Sequence, residues 1–515
     1  MRILLPVLIF WLLAGTVHAT ENPVSKSYKT HCAECHGPDR LGLIGPALLP
    51  ENLKRLRKKS AVGVIQQGRV ASQMPAFADK LNQQQVDALV EYIYTPLEKM
   101  PVWGMQQIKA SQLLPHKGET LSDKPLFDAE VSNLFMVVEL GDHHATLLNG
   151  DTFEPIYRLP TRFALHGGPK WAEGGRYIYF ASRDGWISKF DVFNLKYVAE
   201  VRAGINSRNL AVSHDGRYVI VANYLPHSLV VLDANDLSPL KVIPAQDGKG
   251  NSSRVSAVYT ADPRNTFVAA LKDIPEVWEI SYADDPPAGF TGWVHDYRKD
   301  SGDAQKPAPF PVRRVKVKGY LDDFFLTQEY DRIIGTARDG SGQVVDLDLG
   351  RAVKKITLPG MPHLSSGITW EYNGKTVLAT PNIKEPVVTV LDTDTWKVIK
   401  RIETKGPGFF MRSHENTDYA WAGVFFGPNR DLVHIIDKRT LEIVKTLKPE
   451  PGKTAAHVEF DKTGAHALLS IWEMDGAVIV YDAKTFEEKK RIKLVRPAGK
   501  YNVHNKITFS EGTSH

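Results

Sequence analysis

The sequence predicts a small all-α domain followed by an all-β, eight-bladed propeller, and three observations carry that reading. Up to about position 100 the apolar residues keep helical spacing, as at Val86, Leu89, Val90 and Ile93 behind the N-cap residue Asn82. Beyond Lys117 the spacing changes to strands that recur with acidic turns: Leu134–Asp151, Tyr177–Asp191, Tyr218–Asp233, Phe267–Tyr282, Ile333–Asp348, Val377–Asp392, Tyr419–Asp437 and Ala467–Asp482. Several units end on one phrase, as in Val388-Thr389-Val390-Leu391-Asp392 and Val478-Ile479-Val480-Tyr481-Asp482. Several also recur at about 40–45 residues, the length of one four-stranded blade. Eight units imply eight blades, and this regularity disfavours a pair of β-sandwiches. The stretch from Ser281 to Pro311, with Asp284-Asp285-Pro286-Pro287 and few apolar runs, reads as an insertion loop.

The first residues read as an export signal. Arg2 precedes the apolar stretch from Ile3 to Ala14, and Val17-His18-Ala19 offers a small-x-small cleavage site before Thr20. The apolar run is short for a bilayer span, so an uncleaved anchor is the lesser alternative. The expected division is therefore a signal peptide at 1–19, the helical domain at 20–100, a linker at 101–120 and the propeller at 121–515. A soluble periplasmic protein without a membrane span is expected. The 515 residues are 43% hydrophobic and 24% charged, with a formal net charge of +5. Lys54-Arg55-Leu56-Arg57-Lys58-Lys59 is the one basic run, so nucleic acid is not implied. That run reads as a solvated helical face, or as a docking face for an acidic redox partner.

Both cysteines of the chain lie in Cys32-Ala33-Glu34-Cys35-His36. C-x-x-C-H is the attachment signature of covalent haem c: two thiols three positions apart reach the two vinyl groups of one porphyrin, and the next residue offers its imidazole to the iron. A zinc site would lack its remaining ligands. Residues 28–36 are expected to form the first helix. Leu41-Gly42-Leu43-Ile44-Gly45-Pro46 and Gln73-Met74-Pro75-Ala76-Phe77 resemble the two haem-facing loops of class I cytochromes c. That resemblance implies His36 and Met74 as axial ligands, with a proline carbonyl holding the histidine's second nitrogen.

The segment Val102-Trp103-Gly104-Met105, Leu165-His166 in the loop entering the first full blade, Arg183-Asp184-Gly185, Arg208, Arg254-Val255 and the final Tyr501-Asn502-Val503-His504-Asn505 follow in an order that resembles the haem d1 propellers of the cytochrome cd1-like family. The resemblance runs over nearly the whole chain. It implies that His166 ligates the iron of a haem d1-type tetrapyrrole, with Gly167-Gly168 giving a flat ligand close approach. Arg183, Arg208 and Arg254, from separate blades, would then ring its carboxylates. Each arginine has an inter-blade salt bridge as its alternative.

The departures decide the branch. The cd1 nitrite reductases present two distal histidines, whose positions fall near Thr260-Ala261-Asp262 and Leu321-Asp322-Asp323, where this sequence has none. Anionic carboxylates there would repel nitrite. The pattern resembles more closely the dihydro-haem d1 dehydrogenase branch, which desaturates a propionate to an acrylate and passes the electrons out through haem c. His457, read as opening the innermost strand of the last blade, is the candidate base, and Tyr501 is the candidate for orienting the carboxylate or assisting proton transfer. The alternatives are a cd1-type nitrite reductase with an altered distal face and a non-catalytic haem d1 carrier. The partners implied are the tetrapyrrole, a soluble redox protein and a cd1 nitrite reductase that receives haem d1.

Overall fold

The structure, a computed structural model, describes residues 22–508 apart from 44, 55, 70–73, 100, 291–307 and 338. The signal-peptide reading of 1–19 and much of the insertion loop lie outside the described residues. Among the described residues no helix is long and apolar enough to cross a membrane.

The N-terminal domain is built on helices Pro23–His31, Ala33–His36, Pro50–Leu53, Lys58–Gln67 and Gln83–Ile93. The last begins as the sequence dictates: the Asn82 side chain accepts from the Gln85 N–H, and the Gln85 side chain accepts from the Asn82 N–H, both at 2.9 Å. Its face of Val86, Leu89, Val90 and Ile93 is buried against Tyr28, Ala61 and Ile65. The expected helix at 28–36 starts earlier, at Pro23, behind an Asn22 cap, and it breaks at Cys32, where φ is −121°.

Beyond it lie eight four-stranded antiparallel sheets, the blades of one propeller. Seven take four consecutive strands each. Their innermost strands are Lys170–Ala172, Asn206–Val212, Val255–Ala261, Asp323–Leu326, Ile368–Tyr372, Gly408–Arg412 and Ala455–Phe460. The eighth is composite. Strand Pro497–Asn502, from the end of the chain, pairs with Phe135–Glu139 from the start, setting Tyr501 opposite Met136. His457 therefore opens the seventh blade, and the eighth closes the ring with Tyr501.

The recurring acidic turn has a physical cause. At Asp392 the carboxylate accepts the N–H groups of Asp394 and Thr395, and Asp482 does the same for Lys484 and Thr485. Four residues after the aspartate the chain adopts positive φ, at Leu195, Leu237, Trp396, Leu441 and Phe486. Leu237, Trp396 and Leu441 bury their side chains there, and that burial offsets the left-handed backbone. The Thr395 N–H and the other donors of this turn, with Lys375, hold the Asp392 carboxyl down from 3.8 to about 2. A lowered folded-state value makes the contribution complete above the unfolded value and lost as pH falls toward 2. Asp392→Ala should cost about 1–2 kcal/mol at pH 7, with the difference from wild type shrinking in urea titrations below pH 4.

The segment 101–120, expected as a linker, is strapped to the propeller. Its helix Met105–Ala110 buries Ile108 among Ala199, Val201 and Leu237, and Leu113 makes a β-bridge with Glu200.

Candidate functional site

Two sites emerge, one in each domain. In the first, His36 follows Cys35 at the end of a short helical turn, and its Nδ1–H donates to the Pro46 carbonyl at 2.7 Å. That bond commits Nδ1 and leaves the Nε2 lone pair for a metal, while burial lowers the imidazole's pKa and keeps it neutral. Gly45 makes the loop's approach possible, since a Cβ there would stand 2.9 Å from the His36 ring. Met74 bridges to Arg69 through the backbone and packs, half-buried, against the helical core. Gly68, at φ +68°, lets that turn close, because a Cβ would fall 2.5 Å from the Met74 carbonyl oxygen. Two free cysteines, an imidazole with its second nitrogen satisfied and a thioether form a donor set that fits covalent haem c. Cys32→Ala with Cys35→Ala should abolish covalent attachment, read by a pyridine haemochrome spectrum. Met74→Ala should keep the haem and lower its potential, read by redox titration together with loss of the near-infrared methionine–iron band.

The second site gathers where the loop before blade 1 meets the innermost strands of the sixth, seventh and eighth blades. His166 precedes blade 1, its Nδ1–H donating to the Arg208 carbonyl at 2.6 Å. Its Nε2 accepts from the Arg208 guanidinium, also at 2.6 Å. Nδ1 is thus held as an iron-ligating histidine requires, and Arg208 must swing off Nε2 before a metal binds there. Gly167 and Gly168 have positive φ but press on protein: a Cβ on Gly167 would stand 2.4 Å from Asn209, and one on Gly168 would stand 2.9 Å from the Tyr501 ring. The glycines therefore bring Tyr501 beside the His166 loop.

His457 sits in a β-bulge of its strand at φ +51°. Its ring lies between Phe410, at 5.0 Å between centroids, and Tyr501, at 5.5 Å. Lys500, fully buried, fixes the bulge by donating its ammonium to the His457 carbonyl and, at 2.7 Å, to Ser470 Oγ. Burial first, then the charges of Lys500, Arg412 and Lys506, hold the imidazole well below its ordinary 6.5. His457 is therefore neutral through the physiological range. Its folded-state value is lowered, so its contribution to stability is full above about pH 6.5 and lost on acidification. The conversion rate proposed below should accordingly show no acid limb near pH 6.5 in a pH–rate profile. Burial pushes the Tyr501 phenol up to about 12, so it remains a protonated donor.

Around this pair stands a cluster of basic side chains. Lys170, pushed down to about 8 by burial and by Arg412, lies 6.0 Å from the Tyr259 ring of blade 3. Burial also lowers Lys500 and Lys506. The buried carboxylate of Glu459 lies among them, with Arg412 at 3.2 Å and Lys506 at 4.0 Å. An aromatic wall continues from Phe410 through Phe409 to His363, which stacks on Phe409 at 4.0 Å.

The structure redistributes the expected arginines. Arg208 is at the site. Arg183 lines a cavity of about 60 Å³ between the two domains, facing Pro46 and Asn52. Arg254 is engaged by Asp273 of its own blade at 2.5 and 2.8 Å. Lys170, Arg412, Lys500 and Lys506, which carry no motif in the sequence, lie around His457, Tyr501 and Glu459. Of the two positions read as replaced distal histidines, Asp322 precedes its strand and pairs with Lys272. Asp262 follows the end of strand Val255–Ala261 and pairs with His214.

The cytochrome D1 heme domain family profile matches residues 129–506, and that of cytochrome C oxidase, cbb3-type, subunit III matches residues 20–93. A dihydro-heme d1 dehydrogenase of Pseudomonas aeruginosa is 52% identical, with 98% of each chain covered. A nitrite reductase of Stutzerimonas stutzeri is 24% identical, over 96% of this chain and 94% of its own. The solved structure of dihydro-heme d1 dehydrogenase NirN in complex with DHE superposes with a TM-score of 0.88 at 52% identity, covering 94% of this chain and all of that one. With a helical haem-attachment domain before it and eight blades closed around a cationic axial site, the chain belongs to the cytochrome D1 heme domain family.

Proposed function

We propose that the protein is an oxidoreductase of haem d1 biosynthesis that desaturates one propionate of dihydro-haem d1 to an acrylate. The observation that carries this reading is a neutral, buried His457 in contact with Tyr501, set among cations that suit a polycarboxylate. The reaction breaks two C–H bonds of the CH2–CH2 unit, forms one C=C bond and releases two protons and two electrons. Lys170, Arg412, Lys500 and Lys506 attract the tetrapyrrole's carboxylates, and Arg208, once off His166, joins them. His166 takes the iron of the substrate on Nε2. Tyr501 donates to the reacting carboxylate and His457 accepts a proton. Haem c, when bound at Cys32, Cys35, His36 and Met74, would pass the two electrons, one at a time, to a soluble redox protein.

A second reading of His457 has its own support. The Lys500 N–H points at His457 Nδ1 from 3.4 Å, which places the ring's proton on Nε2 in the resting protein. In that tautomer His457 is a donor that orients the carboxylate. The bond is long and cheap to give up, so proton acceptance at Nε2 after a tautomer change remains the first reading.

The expected compartment is the periplasm, as the export signal read at 1–19 suggests, and the product would pass to a cd1 nitrite reductase. Anaerobic incubation of the haem c-loaded protein with dihydro-haem d1 and a one-electron oxidant should give the haem d1 spectrum and an acrylate in the mass spectrum. Binding without conversion would leave a carrier, and nitrite reduction at a reductase-like rate would restore the reductase reading.

A further inference from the structure

Arg202, the last residue of the outermost strand of blade 1, is only 4% exposed. Its guanidinium reaches into the other domain, donating to the Leu41 carbonyl at 2.6 Å and the Gly42 carbonyl at 3.2 Å, while Nε donates to the Asp184 carbonyl at 2.9 Å. The 101–120 strap grips the same residue. Trp103 lies 4.8 Å from the guanidinium and donates its indole N–H to the Arg202 carbonyl, and Ser111 Oγ accepts the Arg202 N–H. Gly42 is shaped for this approach: its φ is +84°, and a Cβ there would stand 2.9 Å from the guanidinium.

The loop that Arg202 holds is the loop that serves His36. The Gly42 N–H donates to the His36 carbonyl, and Pro46 accepts the His36 Nδ1–H. Pro46 then faces Phe163 and Arg183 across the 60 Å³ cavity. On the propeller side the backbone continues without a break to the axial site: the Arg183 N–H donates to the Ala164 carbonyl, and the His166 N–H donates to the Ala181 carbonyl. A second tie, the Asn52 amide on the Ile205 carbonyl at 3.0 Å, lies beside it.

We propose that Arg202 is a positioning residue, a clasp that fixes the His36–Pro46 edge of the N-terminal domain against the Phe163–His166 loop and so sets the route for electrons between the two sites. The fork geometry matters more than the charge. Three carbonyls at different angles need a planar donor, which an ammonium does not supply. The electron-route half rests on the dehydrogenase reading above; the clasp half does not.

The test uses the haem c-loaded full chain carrying Arg202→Met. Amide exchange in segments 45–49 and 102–112 should accelerate by about tenfold or more, the loss of charge-assisted bonds from the interface. When the ferric protein is mixed anaerobically with dihydro-haem d1, haem c reduction should slow by a similar factor or more, since electron transfer falls steeply with distance. The haem c spectrum and potential and the affinity for dihydro-haem d1 should equal wild type, which a general folding defect would not allow. Arg202→Lys should behave like the methionine variant, and it decides the comparison should Arg202→Met fail to accumulate. Wild-type exchange in these variants overturns the clasp, and accelerated exchange with a wild-type electron-transfer rate overturns the route. A wild-type protein that binds dihydro-haem d1 without oxidising it overturns the dehydrogenase reading instead, and exchange alone then decides the clasp.

Discussion

Replacing His457 with alanine should leave dihydro-haem d1 bound while slowing its conversion by about 10²–10⁴-fold, the range for a lost general base. The binding half follows from the cations, which the substitution does not touch. The chemical half follows from the position of the ring, wedged between Phe410 and Tyr501 and kept neutral by burial and by Lys500. Tyr501→Phe should lose less, because it removes a donor and keeps the aromatic contact. His457→Gln separates the two readings of the imidazole: glutamine keeps an N–H donor and has no basic nitrogen. Acrylate formation by mass spectrometry, alongside a binding titration, reads all three. Full turnover by His457→Ala would end the catalytic assignment, and a glutamine variant close to wild type would make His457 a positioning donor.

The largest effect on stability is expected at Glu459. It is fully buried and accepts from Arg412 at 3.2 Å and from Asn505 at 3.1 Å, with the Lys506 ammonium at 4.0 Å. Glu459→Leu would take the carboxylate from its buried pair with Arg412, and removing one partner of a buried pair costs about 3–5 kcal/mol. Urea unfolding should show that loss in the ligand-free protein. Added haem d1, whose carboxylates replace some of the missing negative charge, should recover part of it. If Glu459→Leu matches wild type in urea, the cluster is better hydrated than its burial implies.

The repeats were legible because each blade solves one problem in one way. In six blades the third strand ends on an aspartate, at 191, 233, 346, 392, 437 and 482, that accepts from N–H groups of the turn, so an apolar residue followed by Asp recurs at blade spacing. The attachment site was equally legible, since thiol spacing and an adjacent imidazole are local. The axial site was harder. His457 and Tyr501 were nameable only through their order along the chain, and they do meet. Arg183 and Arg254 show the limit: an arginine before or after a strand has the same signature whether it faces a ligand, a neighbouring domain or, as Arg254 does, Asp273 of its own blade. Lys170, Arg412, Lys500 and Lys506 left no trace at all. An isolated lysine beside a strand reads as solvated surface, and only closure of the ring turns these four inward. Asp322 and Asp262 sit at opposite ends of comparable strands, one before its strand and one after, a difference that the sequence does not mark.

Ring closure by Pro497–Asn502 also sets an order of manufacture. The ribosome delivers the haem-attachment motif within the first tenth of the chain and Lys500, Tyr501 and Lys506 within the last few per cent. Seven blades can be complete while the axial site still has neither its phenol nor its deepest ammonium, and the eighth blade waits as three strands without an inner edge. A chain truncated before Pro497 thus keeps the Cys32–His36 motif and the strands of seven blades, and lacks Lys500, Tyr501 and Lys506.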